Sequence, residues 1–144
     1  MKPVLSAENV RLNQSFTNKK DAIVASGTVL VENGYVNPEY IQKMLEREEI
    51  VSTYIGNGIA IPHSTEGGTS EIIASGVSVL IVPDGVPFGD ESAKVLFGIA
   101  GKDGSHLEIL SAIAIFCSEQ ENVDRLLEVT EPQQAVDMIS EYLE

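Results

Sequence analysis

Residues 56–64 read Gly-Asn-Gly-Ile-Ala-Ile-Pro-His-Ser, and no other stretch constrains the fold as much. Ile59, Ala60 and Ile61 form a short, wholly apolar run bounded by Gly58 and Pro62. That pattern reads as a buried strand end, although periodicity alone leaves a helix fragment open. Pro62 has no N–H to give to a sheet ladder, so regular pairing is expected to stop there. His63, one of only two histidines, follows at once, and residues 64–70 are small and polar with nothing to require their burial. A buried strand therefore brings an imidazole to the rim of the core, facing an open loop.

The rest of the chain supplies strands and helices around that run. Residues 8–12 alternate and read weakly as a first strand. Asn18, three residues before Asp21, is a cap for a helix with Ile23, Gly27 and Leu30 on its face, ended by Asn33-Gly34. Asn37-Pro38 opens a second helix with an apolar stripe of Ile41, Met44 and Leu45 and a charged exit, Glu46-Arg47-Glu48-Glu49. Residues 76–82 are the strongest strand, with Pro83-Asp84-Gly85 expected to turn the chain into residues 86–88. Residues 95–100 are a further buried strand, broken by Gly101-Lys102-Asp103-Gly104. Ser105 is then expected to cap a helix that opens with His106 and is apolar nearly all round, hence central. Two shorter helices follow, one over 122–127 and one after Glu131-Pro132 carrying Ala135, Met138, Ile139 and Tyr142. The expected fold is α/β, a single-domain three-layer α/β/α sandwich with a central mixed sheet flanked by helices on both faces.

A chain of 144 residues suits one domain, taken here as 1–144. No apolar run approaches the roughly 20 residues of a membrane helix, and the N-terminus lacks a signal peptide's apolar region. Asn13-Gln14-Ser15 matches a glycosylation acceptor by chance. One cysteine, Cys117, excludes an internal disulfide, and no set of zinc ligands is present. A cytoplasmic protein without membrane insertion is expected. The formal charge of −13 speaks against nucleic acid and anionic membranes as partners. A basic protein partner fits it, and so does simple solubility.

Several motifs begin and fail. Gly56-Asn57-Gly58 starts like a dinucleotide fingerprint, but Ile61 stands where the third glycine belongs. Gly101-Lys102 resembles the end of a phosphate loop, yet Asp103 replaces the serine or threonine. Ser78 lacks the closing glycine of a nucleophile elbow. Cys117, on an apolar helix, reads as a small core hydrophobe. What survives is His63, His106 and Arg47. Each histidine follows a predicted strand end, where sites gather in open α/β sheets, and the two rings converge if those strands are neighbours. His106 lies in a first helical turn, which favours an anion, and Arg47 offers a cation. Taken singly, each has an ordinary reading: a satisfied rim histidine, a first-turn residue, a solvated partner of Glu46 or Glu48. Together, without acidic metal ligands, they suit transient handling of a phosphoryl group by a neutral imidazole. The rest would be positioning and charge stabilisation. A metal-assisted hydrolase using both histidines lacks the carboxylate–histidine motif it would need.

From Glu48 through Ile55-Gly56-Asn57-Gly58-Ile59-Ala60-Ile61-Pro62-His63 the chain resembles the EIIA components of the bacterial phosphoenolpyruvate-dependent sugar phosphotransferase system, fructose/mannitol class. Ser64 departs from the glycine, alanine or cysteine usual in the last place, which bears on fine geometry. The likeness extends through Gly34-Tyr35-Val36, Glu39-Tyr40 and Gly98-Ile99-Ala100, and is greatest to the mannitol-specific branch, which also carries a histidine and an arginine where His106 and Arg47 stand. The resemblance implies a mixed sheet sandwiched by helices and no cofactor. It implies that His63 accepts a phosphoryl group from the phosphohistidine of HPr and passes it to a cysteine of the EIIB domain of the mannitol transporter. His106 and Arg47 would flank the ring. Phosphorylation is expected on the distal (tele) nitrogen, because a partner must reach the ring from outside while the proximal nitrogen is anchored. The alternative is a regulatory, nitrogen-type EIIA that acts by binding other proteins.

Overall fold

The computed structural model describes residues 3–143; Met1, Lys2 and Glu144, the outermost residues of the expected domain, lie outside the described residues, as does the side chain of Glu66. The centre is a five-stranded mixed sheet. Its strands are β1 (Val10–Arg11), β2 (Tyr54–Gly56), β3 (Ile59–Ala60), β4 (Gly76–Phe88) and β5 (Glu91–Ala100), in the order β1-β4-β5-β3-β2. β4 and β5 pair antiparallel, whereas β1 lies parallel to β4 and β3 parallel to β5.

Alternation along the central strands divides the core in two. Val77, Val79, Ile81, Val95, Phe97 and Ile99 face α3 (His106–Ser118), α4 (Gln120–Leu126) and α5 (Pro132–Leu143). Leu80, Val82, Leu96 and Ala100 face α1 (Lys19–Glu32) and α2 (Glu39–Ile50). Both faces are covered, which is why these strands read as continuous apolar runs. The three-layer sandwich is the expected one.

Local expectations fared unevenly. The Asn18 side chain accepts from the Asp21 N–H at 2.8 Å, so α1 is capped as its sequence predicts. The first strand is only two residues long, because residues 7–9 form a 3-10 turn and Asn9 is spent on buried hydrogen bonds to Tyr35 and the Val77 carbonyl. Asn37 does not cap α2 with its side chain, which donates to Glu71 instead. The helix buries Tyr40, Met44 and Glu48; of the expected stripe Met44 is buried, while Ile41 and Leu45 are only half-buried.

Two corrections are larger. Pro83-Asp84-Gly85 does not turn the chain. β4 runs through it as a bulge in which residues 82–85 oppose Lys94 alone, since Ile81 pairs with Val95 and Val86 with Ala93. A bulge tolerates proline for the same reason a turn does, the absence of a ladder partner. The true reversal is Gly89-Asp90, between the paired Phe88 and Glu91, with Gly89 at a φ of 65°. Second, α3 is not central: only Ile109, Ile113, Phe116 and Cys117 are buried, while Leu107 and Ile115 are 64% and 59% exposed. Nor does Ser105 cap it, because its Oγ turns back to the Lys102 carbonyl at 2.8 Å. Cys117 is the core hydrophobe expected, and burial pushes its thiol up to about 12.

Candidate active site

β3 and β5 are neighbours, so the strand ends that carry the two histidines converge. Named pairing stops at Ala60, as Pro62 requires, but the Pro62 carbonyl accepts from the Ile99 N–H at 2.9 Å and His63 forms a single parallel bridge with Ile99. The imidazole therefore sits beside the end of β5. From there Gly101 leads toward α3 so closely that a Cβ on it would lie 2.2 Å from the His106 Cα. Only glycine permits that approach.

His63, His106 and Arg47 all line one open cleft of about 730 Å3, with Tyr40, Ser64 and Ile99 among its walls. The open polar stretch expected after His63 is instead partly wound into a 3-10 helix, Glu66–Glu71, whose Gly67 and Thr69 form another wall.

The ring of His63 is half-buried, and its Nδ1 lies 2.8 Å from the Ile61 carbonyl oxygen. A carbonyl only accepts, so Nδ1 carries the proton and Nε2 keeps the lone pair. Burial is the largest influence on this imidazole and holds its pKa below the ordinary histidine value; the Ile61 carbonyl opposes that, the charges of Arg47 and His106 reinforce it, and Glu48 opposes it. A neutral imidazole with a free Nε2 lone pair has the form a nucleophile needs. Arg47 donates from Nη1 to the Val51 carbonyl at 2.7 Å. Its acidic neighbours are occupied elsewhere, Glu46 with Lys43 and Glu48 with Lys19, so Arg47 is not their solvated partner. The Nδ1 of His106 is buried and has no hydrogen-bond partner among the described residues.

A neutral imidazole that shares a cleft with a guanidinium and a second imidazole has the chemistry to handle an anionic group. The family model described as "Phosphoenolpyruvate-dependent sugar phosphotransferase system, EIIA 2" matches residues 3–142. The chain belongs to this EIIA family. This EIIA is 50% identical over 139 residues to the mannitol-specific phosphotransferase enzyme IIA component of Bacillus subtilis (strain 168), covering 96% of this chain and 97% of that one. The enzyme IIA of the Escherichia coli complex of IIA mannitol with phosphorylated IIB mannitol superposes with a TM-score of 0.89 at 32% identity, over 95% of this chain and 97% of that one. The crystal structure of IIA mannitol from Escherichia coli gives 0.85 at 35%, over 97% and 99%. As a member of the family, this EIIA is a phosphotransferase component.

Sequence reasoning missed two groups in the site. Tyr40 donates its hydroxyl proton to the Ile99 carbonyl at 2.6 Å and accepts from the Ser64 N–H at 3.3 Å, tying α2 to both sides of His63. Burial raises the Tyr40 pKa and keeps it a donor. A tyrosine one helical turn before Met44, with a polar tip that needs a partner, was the available signal. The other is Glu48, named above only as the start of the stretch that carries the resemblance, because it stands in what otherwise reads as a solvated charge run.

The depressed pKa of His63 sets a pH dependence in this EIIA. Phosphorylation should hold its rate through neutral pH and fall only below the ordinary imidazole value of about 6.5. Stability should follow the same sign, because between the folded pKa and about 6.5 the unfolded chain binds more protons. The contribution of His63 is complete above about 6.5 and is lost as pH falls through the folded value. NMR titration of the ring, with denaturant melts across that window, checks both; a folded pKa at or above that of a histidine peptide contradicts them.

Proposed function

We propose that this chain, acting as one domain over residues 1–144, carries a phosphoryl group on His63 Nε2, accepting it from the phosphohistidine of HPr and delivering it to the cysteine of a mannitol EIIB domain. The observation that carries this reading is the His63 ring itself: Nδ1 is tied to the Ile61 carbonyl, and the ring lines a cleft shared with Arg47 and His106. The relatives support the mannitol assignment by name, and the Escherichia coli complex pairs IIA mannitol with phosphorylated IIB mannitol.

In the first step the Nε2 lone pair forms a bond to phosphorus while the donor's N–P bond breaks, and the donor ring leaves with that electron pair. The charge left on His63 is borne by the Nδ1–H···O=C bond to Ile61 until a proton departs. In the second step a thiolate sulfur bonds to phosphorus and the Nε2–P pair returns to His63. Arg47 and His106 would hold the phosphoryl oxygens in both, where charge on the travelling group is greatest. The exposed apolar side chains of Ile50 and Leu107 on the cleft's rim suit a partner protein that docks over the ring. No helix among the described residues is long and apolar enough to cross a membrane, in keeping with work in the cytoplasm beside a membrane-bound partner.

The test is reconstitution with labelled phosphoenolpyruvate, enzyme I, HPr and a mannitol EIIB domain. Label should pass through this chain to the EIIB cysteine. Label that reaches His63 and goes no further would favour the regulatory, nitrogen-type reading. Transfer from HPr should also need no divalent metal, since imidazoles serve as donor and acceptor and fixed cations meet the charge. Rapid quench after EDTA is added to preformed phospho-HPr should give an unchanged rate; a collapse on chelation would reveal a metal-dependent step.

A further inference from the structure

Glu48 is buried, 6% exposed, at the last turn of α2. Both carboxylate oxygens lie 3.1 Å from the Thr53 N–H, and one also accepts from the Thr53 hydroxyl. Lys19 reaches it at 3.4 Å from α1. A buried carboxylate is a poor choice for stability alone, because an apolar side chain fills such a place at least as well. What it does here is geometric. Thr53, itself buried, offers its carbonyl to the Ile61 N–H at 3.0 Å, extending the β2–β3 pairing by one residue. Ile61 in turn presents its own carbonyl to His63 Nδ1 at 2.8 Å. The path from Glu48 to the imidazole is thus Thr53, Ile61, His63, every link a direct hydrogen-bonded contact.

We propose that Glu48 is a positioning residue for phosphoryl transfer: by holding Thr53 it fixes the strand pairing that aims the Ile61 carbonyl at His63, and so sets the tautomer that leaves Nε2 free to attack. This rests on the carrier reading of His63. The requirement is for an acceptor at the right reach, not for a negative charge. The amide of Glu48→Gln keeps an oxygen at that reach without the charge, whereas Glu48→Asp keeps the charge and falls one carbon short.

The experiment compares wild type, E48Q and E48D by long-range proton–nitrogen NMR of the His63 ring in the unphosphorylated protein, then by phosphorylation rate from HPr. E48Q should retain the Nδ1–H form and a rate close to wild type. E48D should show mixed tautomers and a slower rate, since a misplacement of about 1 Å at a reacting group costs up to about a hundredfold. In wild type, the Thr53 N–H, Ile61 N–H and His63 Nδ1–H should also exchange with solvent as one protected unit, a measurement that requires no variant. Glu48 is not a positioning residue if a folded E48D keeps the wild-type tautomer and rate. The role is equally excluded if E48Q loses the tautomer as fully as E48D, or if Nδ1–H exchanges freely while Thr53 stays protected. If wild type takes no label on His63, the carrier reading fails, while the tautomer and exchange measurements still decide the role of Glu48.

Discussion

His63→Ala is expected to take up no phosphoryl label from phosphoenolpyruvate, enzyme I and HPr, the largest effect any single substitution in this chain should have. No other nucleophile among the described residues is placed to substitute. Cys117 is buried with its thiol held in the protonated form, and His106 has its Nδ1 buried at the cleft wall. The fold should tolerate the change, because the ring is only half-buried and contributes one hydrogen bond to a carbonyl, a loss of about 1 kcal/mol. Circular dichroism on the variant, followed by quantification of acid-labile label, settles it. Acid-labile label surviving on a folded His63→Ala chain would place the carrier elsewhere.

His106→Ala and Arg47→Ala should each slow transfer by about a hundred- to a thousandfold, the usual consequence of removing one positioned donor, or about 2.7–4 kcal/mol of barrier. If both hold the same phosphoryl oxygens, the double variant should fall short of the sum. Because neither is the nucleophile, the variants should still become phosphorylated, slowly, and stall in delivery to the EIIB cysteine. His106 allows the sharper comparison. An ordinary first-turn residue would leave both half-reactions untouched and change stability by only a few tenths of a kcal/mol. Single-turnover rates for each half-reaction distinguish these outcomes, and wild-type rates in a folded His106→Ala chain remove the paired-histidine site while leaving His63 in place.

Legibility differed by the kind of signal each residue carries. The stretch leading to His63 was readable because glycine, apolar run and proline each restrict the backbone independently and agree. The convergence of His106 on it was readable only conditionally, since it required β3 and β5 to be neighbours, and sheet order is not written in local sequence. Pro83-Asp84-Gly85 misled because turns and bulges draw on the same residues; the two-residue reversal at Gly89-Asp90, which decides the hairpin, was overlooked beside it. The α3 helix misled differently. Periodicity counts apolar residues without saying what covers them, so a helix apolar nearly all round read as central although Leu107 is open to solvent in the isolated chain. Glu48 was legible only as the residue on which the family resemblance opens, and its role was hidden for the reverse reason. In a run of four residues that includes three glutamates, nothing local marks the one whose carboxylate turns inward to Thr53.

The placement of Cys117 has a practical meaning at the bench. The thiolate is the form that reacts with alkylating and disulfide reagents, and this chain's only sulfur of that kind lies on the buried face of α3 with its thiol raised to about 12. In a mixture of carrier and EIIB, a maleimide or iodoacetamide at neutral pH would therefore read the acceptor's cysteine alone. The same silence makes the chain a ready host for a single introduced handle. A cysteine placed at Ile115 would be the one accessible thiol, and a dye attached there could follow docking without the native cysteine having first to be removed.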